Sequence, residues 1–282
     1  MGDQVSTTKL RATWESAASG WAKWEDKFSR NLQGATNTLL DHANISKGTR
    51  VLDLACGAGS QTILAAERVG KDGRVVACDI SEEMLKHVRE NADRAGLENV
   101  ETLRSAAEDL TTSKKSFDAA ISRLGLMLFA SPQNALSAIQ SALKPGARMA
   151  ALVFTTPETN SFMAGPMAIL LRHGGKPSPA PGQPGIFALG GAGILENLLG
   201  NCGYVDVKSE KVLAPLHLAS ADDALEMMQQ AFGAYRAVIA DLSDEAKGNA
   251  WAEVRDFLRR FEADAGFETE FEFIIGSGAV PE

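Results

Sequence analysis

The 282-residue chain has only three cysteines, Cys56, Cys78 and Cys202. Their odd number and the lack of C-x-x-C spacing argue against a disulfide framework or a zinc site. They read as small reduced thiols of a cytoplasmic protein. No apolar run reaches the ~18–20 residues that a membrane-spanning helix needs, and the first 20 residues lack the uninterrupted apolar stretch of a secretory leader. Positive charge is also in short supply. Lys and Arg number 28 against 36 Asp and Glu, a formal net charge of −8. Without a basic stripe, no nucleic-acid partner is expected. No metal site is expected either. What the chain does have is apolar residues, 45% of the total, enough for a packed core, and a length that suits one large domain or one domain with a sizeable insertion. No internal repeat is visible.

Strand-like and helix-like runs alternate over the first half. The spacing of Trp14, Ala17, Ala18, Trp21 and Phe28 predicts a helix over 12–28. Gly34 then loosens the chain before a short second helix, "ATNTLLDHA". "TRVLDLA", "RVVACD", "NVETL", "FDAAIS" and "RMAALVF" read as strands. The helices between them begin at good caps, Ser81 and the Ser131-Pro132 pair. This order gives an α/β fold: a doubly wound, mostly parallel, seven-stranded Rossmann-like sheet with helical lid insertions. The expected organisation is an N-terminal helical lid over 1–44, a core over 45–155, and a completion of the sheet with further lid insertions over 156–282. In that last part a helix interrupted at Gly165-Pro166 is expected, then a Pro/Gly-rich loop over 174–185. Two long helices and a final antiparallel edge strand, "FETEFEFIIGSG", complete it.

"VLDLACGAGS", residues 51–60, carries the clearest chemical signal. At the carboxyl end of a strand the side chains shrink, so Gly57 and Gly59 expose main chain beside the free N–H groups of a helix start. Asp79 ends the next strand, where a carboxylate can take both hydroxyls of a ribose. The ligand is therefore a nucleoside derivative. A dinucleotide fingerprint needs a third glycine, and Thr62 stands there. Asp53, also at the shelf, would repel a pyrophosphate and attract an ammonium or a sulfonium. The residues thus favour S-adenosyl-L-methionine over NAD.

"VLDLACGAG", "VVACDISEEML", "SAAEDL", "FDAAISRLGLMLF" and "LKPGARM" together resemble the successive motifs of class I S-adenosylmethionine-dependent methyltransferases, most closely the ubiquinone/menaquinone-type (UbiE-like) branch. The resemblance covers about residues 45–155. It implies that Asp53 lies near the methionine ammonium and that Ala55 and Gly57 touch the methionine moiety by main chain. It implies that Asp79 grips the ribose, Ile80 packs on the adenine, and Ala107 and Glu108 lie at the adenine edge. Ser122 and Arg123 would face the methionine end, and Gln61 would reach the carboxylate. The chain departs from the family at Ala55, where a glycine is usual, and at Ala106, where Asp is common.

The implied reaction is methyl transfer by in-line displacement to a small, mostly apolar acceptor, aromatic or quinone-like, leaving S-adenosyl-L-homocysteine. The acceptor site is expected over the strand ends, with Trp21, Met127, Phe129, Met163 and Met167 as its walls. An O- or C-acceptor needs a base, for which His173 and His217 are the candidates. The expected protein is a cytoplasmic monomer or homodimer without stable membrane insertion. Two other readings stay open: an NAD-dependent oxidoreductase, and a non-catalytic protein that only binds the cofactor.

Overall fold

The protein, seen as a computed structural model that describes residues 7–178, 183–264 and 266–282, opens with one long helix, α1 (Thr7–His42). β1 (Arg50–Leu54), α2 (Ser60–Val69), β2 (Arg74–Asp79), α3 (Glu82–Ala95), β3 (Val100–Arg104) and β4 (Phe117–Arg123) follow. A 3₁₀ turn over Leu126–Leu128, then α4 (Pro132–Ala142) and β5 (Leu143–Phe154), complete the first half. Beyond it lie α5 (Ser161–His173), α6 (Ile194–Asn201), β6 (Val205–Leu218), α7 (Ala221–Ala231), α8 (Gly233–Val238) and α9 (Asp244–Leu258). The short β7 (Glu262–Ala263) and β8 (Gly266–Ala279) end the chain.

The strands form one sheet in the order β3-β2-β1-β4-β5-β8-β6, with β7 paired to β8. β1 to β5 run parallel, and β8 runs antiparallel to both β5 and β6. β1 and β2 are buried after their first residue, as strands covered on both faces must be. Strand order reverses between β1 and β4, so a crevice opens outside their carboxyl ends. The mostly parallel, doubly wound sheet agrees with the expectation from the sequence.

Four local expectations are corrected. The two N-terminal helices are a single α1, ~54 Å long at 1.5 Å per residue. Gly34 faces open space, and burial of Leu32, Ala35, Leu39 and Leu40 on either side outweighs the ~1 kcal/mol that glycine costs a helix. Pro166 does not interrupt α5, and at the neighbouring Gly165 the Phe257 ring of α9 presses against the helix. The helix expected across Leu225–Ile239 breaks at Phe232, whose ring turns inward against Phe28 and Trp21. The final strand is not at the edge. β8 is inserted between β5 and β6, and β6 is the edge. The Pro/Gly-rich loop lies partly outside the described residues, at 179–182. So does the start of the N-terminal lid, at 1–6.

α1 crosses the sheet's carboxyl end. At Gly20 it nearly touches α7, since a Cβ there would sit 2.0 Å from the Gln230 carbonyl oxygen. That contact seats α1 as a roof over the crevice.

Candidate active site

The cleft under α1 encloses about 1030 Å³ including its open mouth. Ala55, Cys56, Gly57 and Ala58 make its floor, Asp79, Ile80 and Met84 one wall, and Ser105–Glu108 another. Gln61, Arg123, Leu124, Gly125, Leu128, Phe129 and Ala130 line the far end, and Leu10, Trp14, Trp21, Glu25 and Leu32 of α1 form the roof.

The floor is bare backbone. Gly57 has φ +57°, and a Cβ built on it would meet nothing within 4 Å, so the cleft reaches the main chain there. Ala55 holds φ +52°, a left-handed conformation that costs an L-residue ~1–2 kcal/mol. Gly125 is needed because a Cβ on it would lie 2.5 Å from that of Ala55. Asp79 pins this floor. Its Oδ2 accepts the Gly57 N–H at 3.0 Å and its Oδ1 the Ser81 N–H at 2.9 Å. Burial raises its pKa, opposed by the N–H groups of Ser81, Gly57 and Ile80.

Asp53 stands one side chain behind the floor. It is fully buried, does not line the cleft, and accepts from Thr62 Oγ1 at 2.5 Å and Gln61 Nε2 at 3.3 Å. Burial pushes its pKa up to about 7, against the hydrogen bonds of Thr62 and Gln61. Gln61 itself reaches the cleft and also donates to the Cys56 carbonyl at 2.9 Å. Glu25 also presents a carboxylate at the cleft surface, with Arg123 as its charged neighbour. Arg123 is buried and donates to Thr36 Oγ1 at 3.0 Å and to Ser60 Oγ. Glu108 meets the cleft and accepts the Ser131 N–H at the start of α4.

Of the residues expected to hold a cofactor, Ala55, Gly57, Gln61, Asp79, Ile80, Ala107, Glu108 and Arg123 converge on the cleft. Gly59 and Ser122 lie just behind it. Gly59 caps α2 and touches Val88 of α3, and the buried Ser122 hydroxyl has no partner. On the acceptor side, Trp21 and Phe129 line the cleft. Met127 faces the core, while its neighbours Leu128 and Phe129 take the wall. Met163 is buried in the core and Met167 packs against it, and neither lines the cleft. The Met163 carbonyl accepts the Tyr235 hydroxyl at 2.7 Å. His173 and His217 are likewise elsewhere. His173 pairs with Glu253 at 2.9 Å, and exposed His217 with Glu268 at 3.7 Å. Neither is placed to take a proton in the cleft. Glu25 and Trp14 were not anticipated. The available signal was a charged residue one turn from Trp21 on an otherwise apolar helix face.

Residues 45–161 match the family model described as a methyltransferase domain. The matched stretch is 117 of the chain's 282 residues. It holds the floor and both walls of the cleft, while the α1 roof lies outside it. The demethylmenaquinone methyltransferase of Listeria monocytogenes is 36% identical over 113 residues, 40% of this chain and 48% of that protein. The ubiquinone/menaquinone biosynthesis C-methyltransferase UbiE of Methylococcus capsulatus is 35% identical over 148 residues, 52% of this chain and 60% of that protein. The chain thus spans about half the length of these relatives. Among solved structures, a putative methyltransferase of Bacillus halodurans superposes with TM-score 0.60 at 18% identity, covering 88% of this chain and all of that one. Phosphoethanolamine N-methyltransferase 2 of Haemonchus contortus, in complex with S-adenosyl-L-methionine, gives TM-score 0.57 at 18% identity, over 100% of this chain and 59% of that one. These two likenesses concern the fold.

Among the described residues no group of three or more His, Cys, Asp and Glu side chains is arranged to hold a metal ion. No helix among them is long and apolar enough to cross a membrane.

Proposed function

We propose that the protein is an S-adenosyl-L-methionine-dependent methyltransferase acting on a small, mostly apolar, quinone-like acceptor. One observation carries the reading: the Asp79 carboxylate closes a main-chain shelf whose Gly57 position has no side chain to fill the cleft. The residues suit a positively charged nucleoside. Asp79 suits a ribose diol, Ile80 and Met84 suit an adenine face, and Gln61 and Arg123 suit a charged amino-acid tail. A diphosphate would meet three carboxylates, Asp79, Glu25 and Glu108, and no third loop glycine, so no observation favours a nicotinamide cofactor.

When bound, the cofactor would supply a methyl group on an electron-poor sulfur. The chain's part is alignment and exclusion of water. Leu32, Leu124, Leu128 and Phe129 give the far end an apolar wall, and Trp21, stacked on Phe28 at 4.7 Å, closes the roof. Holding two reactants in register offsets ~7–11 kcal/mol of barrier. The quinone-like acceptor is supported by the names of the relatives from Listeria and Methylococcus, a demethylmenaquinone and a ubiquinone/menaquinone methyltransferase. Free thiols at Cys56, Cys78 and Cys202 fit a cytoplasmic enzyme, and the net charge of −8 fits one without nucleic-acid partners. The test is incubation with methyl-labelled cofactor and a panel of hydroquinones and hydroxynaphthalenes. Labelled product from at least one is expected, and none from the whole panel would overturn the acceptor class.

A further inference from the structure

α1 brings two polar atoms to the cleft that have no partner inside the chain: Oε1 of Glu25 and Nε1 of Trp21. Both atoms are buried, and the Glu25 residue is only 8% exposed. The two residues are one helical turn apart, so they share a face and present an acceptor and a donor side by side. Buried polar groups in folded proteins are almost always satisfied, and an exception calls for an explanation. Around them the cleft is apolar, with Leu32, Leu124, Leu128 and Phe129.

One ligand group fits both atoms, a hydroxyl on an otherwise apolar molecule. Its O–H donates to Glu25 and its lone pair accepts from Trp21. An ammonium has no lone pair for the indole, and a ketone has no proton for the carboxylate. Resting on the methyltransferase reading above, we propose that Glu25 is the catalytic base that takes the acceptor's hydroxyl proton while the Trp21 indole N–H holds the same oxygen, so that the acceptor class is a phenol or enol. The O–H bond breaks and its proton passes to the Glu25 carboxylate. The electron pair left on the acceptor forms the new bond to the methyl carbon. The S–CH₃ bond breaks with its pair remaining on sulfur, so one positive and one negative charge disappear together.

The surroundings suit this role. Ser60, the first residue of α2, and Arg123 are neighbours of the Glu25 carboxylate. The carboxylate therefore lies at a helix N-terminus, where negative charge is favoured. Burial raises the Glu25 pKa, opposed first by the charge of Arg123, which makes the carboxylate a stronger proton acceptor than an exposed one.

The experiment compares 2-naphthol with naphthalene by titration calorimetry on the chain saturated with S-adenosylhomocysteine. Wild type, Glu25→Gln and Trp21→Phe are measured, the last keeping the aromatic stack. Wild type is expected to prefer the naphthol by tenfold or more. Each variant should cut that preference at least fivefold, with affinity for S-adenosylhomocysteine within threefold of wild type. Turnover of 2-naphthol should fall ~100-fold or more in Glu25→Gln, the usual contribution of a base. An unchanged naphthol preference in both variants overturns the proposal. A tenfold loss of S-adenosylhomocysteine affinity in Glu25→Gln also overturns it, because the carboxylate would then serve the cofactor. If wild type itself does not bind S-adenosylhomocysteine, the cofactor reading fails, and the same naphthol comparison on the unloaded chain decides the hydroxyl site separately.

Discussion

Replacing Asp79 by Asn changes two things that the structure allows to be separated. In the free protein the carboxylate holds Gly57 and Ser81 by their N–H groups, at 3.0 and 2.9 Å. Asparagine keeps one acceptor oxygen but turns an NH₂ toward the second N–H, leaving a buried donor unpaired at a cost of ~1–3 kcal/mol. The same carboxylate lines the cleft, and on the proposed reading it takes the ribose hydroxyls of the bound cofactor. Hydrogen bonds to a charged group contribute ~1.5–3 kcal/mol, and the amide retains part of that. A net loss of ~2–3 kcal/mol corresponds to roughly 30- to 150-fold weaker binding. Titration calorimetry with S-adenosylhomocysteine and with its 2′-deoxy analogue reads the effect. Wild type should distinguish the two ligands, and Asp79→Asn should lose most of that difference. If the variant melts at a lower temperature but binds S-adenosylhomocysteine within threefold of wild type, Asp79 is only a staple for the loop. The reasoning about the ribose would then be refuted.

Other consequences follow from the same geometry. Ala55→Gly removes the strain of φ +52° and should stabilise the free protein by about 1 kcal/mol in urea unfolding; a loss of stability would show that the methyl group's packing matters more. Gly20→Ala should destabilise by ~2 kcal/mol or more and loosen the roof, since the new Cβ would overlap the Gln230 carbonyl; limited proteolysis of α1 would report it. The buried Asp53 has a folded pKa of about 7 against 3.8 for the free side chain, so the folded state holds its proton more tightly than the unfolded. That contribution is fully present below about pH 4 and is lost as pH rises to 7. Relative to Asp53→Asn, wild type should therefore lose stability over that window, by at most roughly 4 kcal/mol. A difference between the two proteins that is flat with pH would contradict this.

The cleft's floor was legible in the sequence because its parts are close along the chain. The small residues 55–59 end one strand, Asp79 ends the next, and both positions follow from parallel-sheet geometry alone. The roof was not. Which side of α1 meets the cleft depends on its crossing with α7, set by Gly20 and Gln230 across 210 positions of sequence. For that reason Glu25 was overlooked, and Met163, Met167, His173 and His217 were expected near a site from which α5 and β6 keep them. Gly34 and Pro166 misled for a similar reason. Each is a helix breaker by propensity, and each is overridden by packing that local sequence does not display.

Calorimetric titration of the purified chain with S-adenosylhomocysteine, in parallel with NADH, tests the shelf most directly. A saturable heat at one equivalent of S-adenosylhomocysteine and none with NADH is the predicted result. Saturable binding of NADH at the cleft, lost in Asp79→Asn, would contradict it.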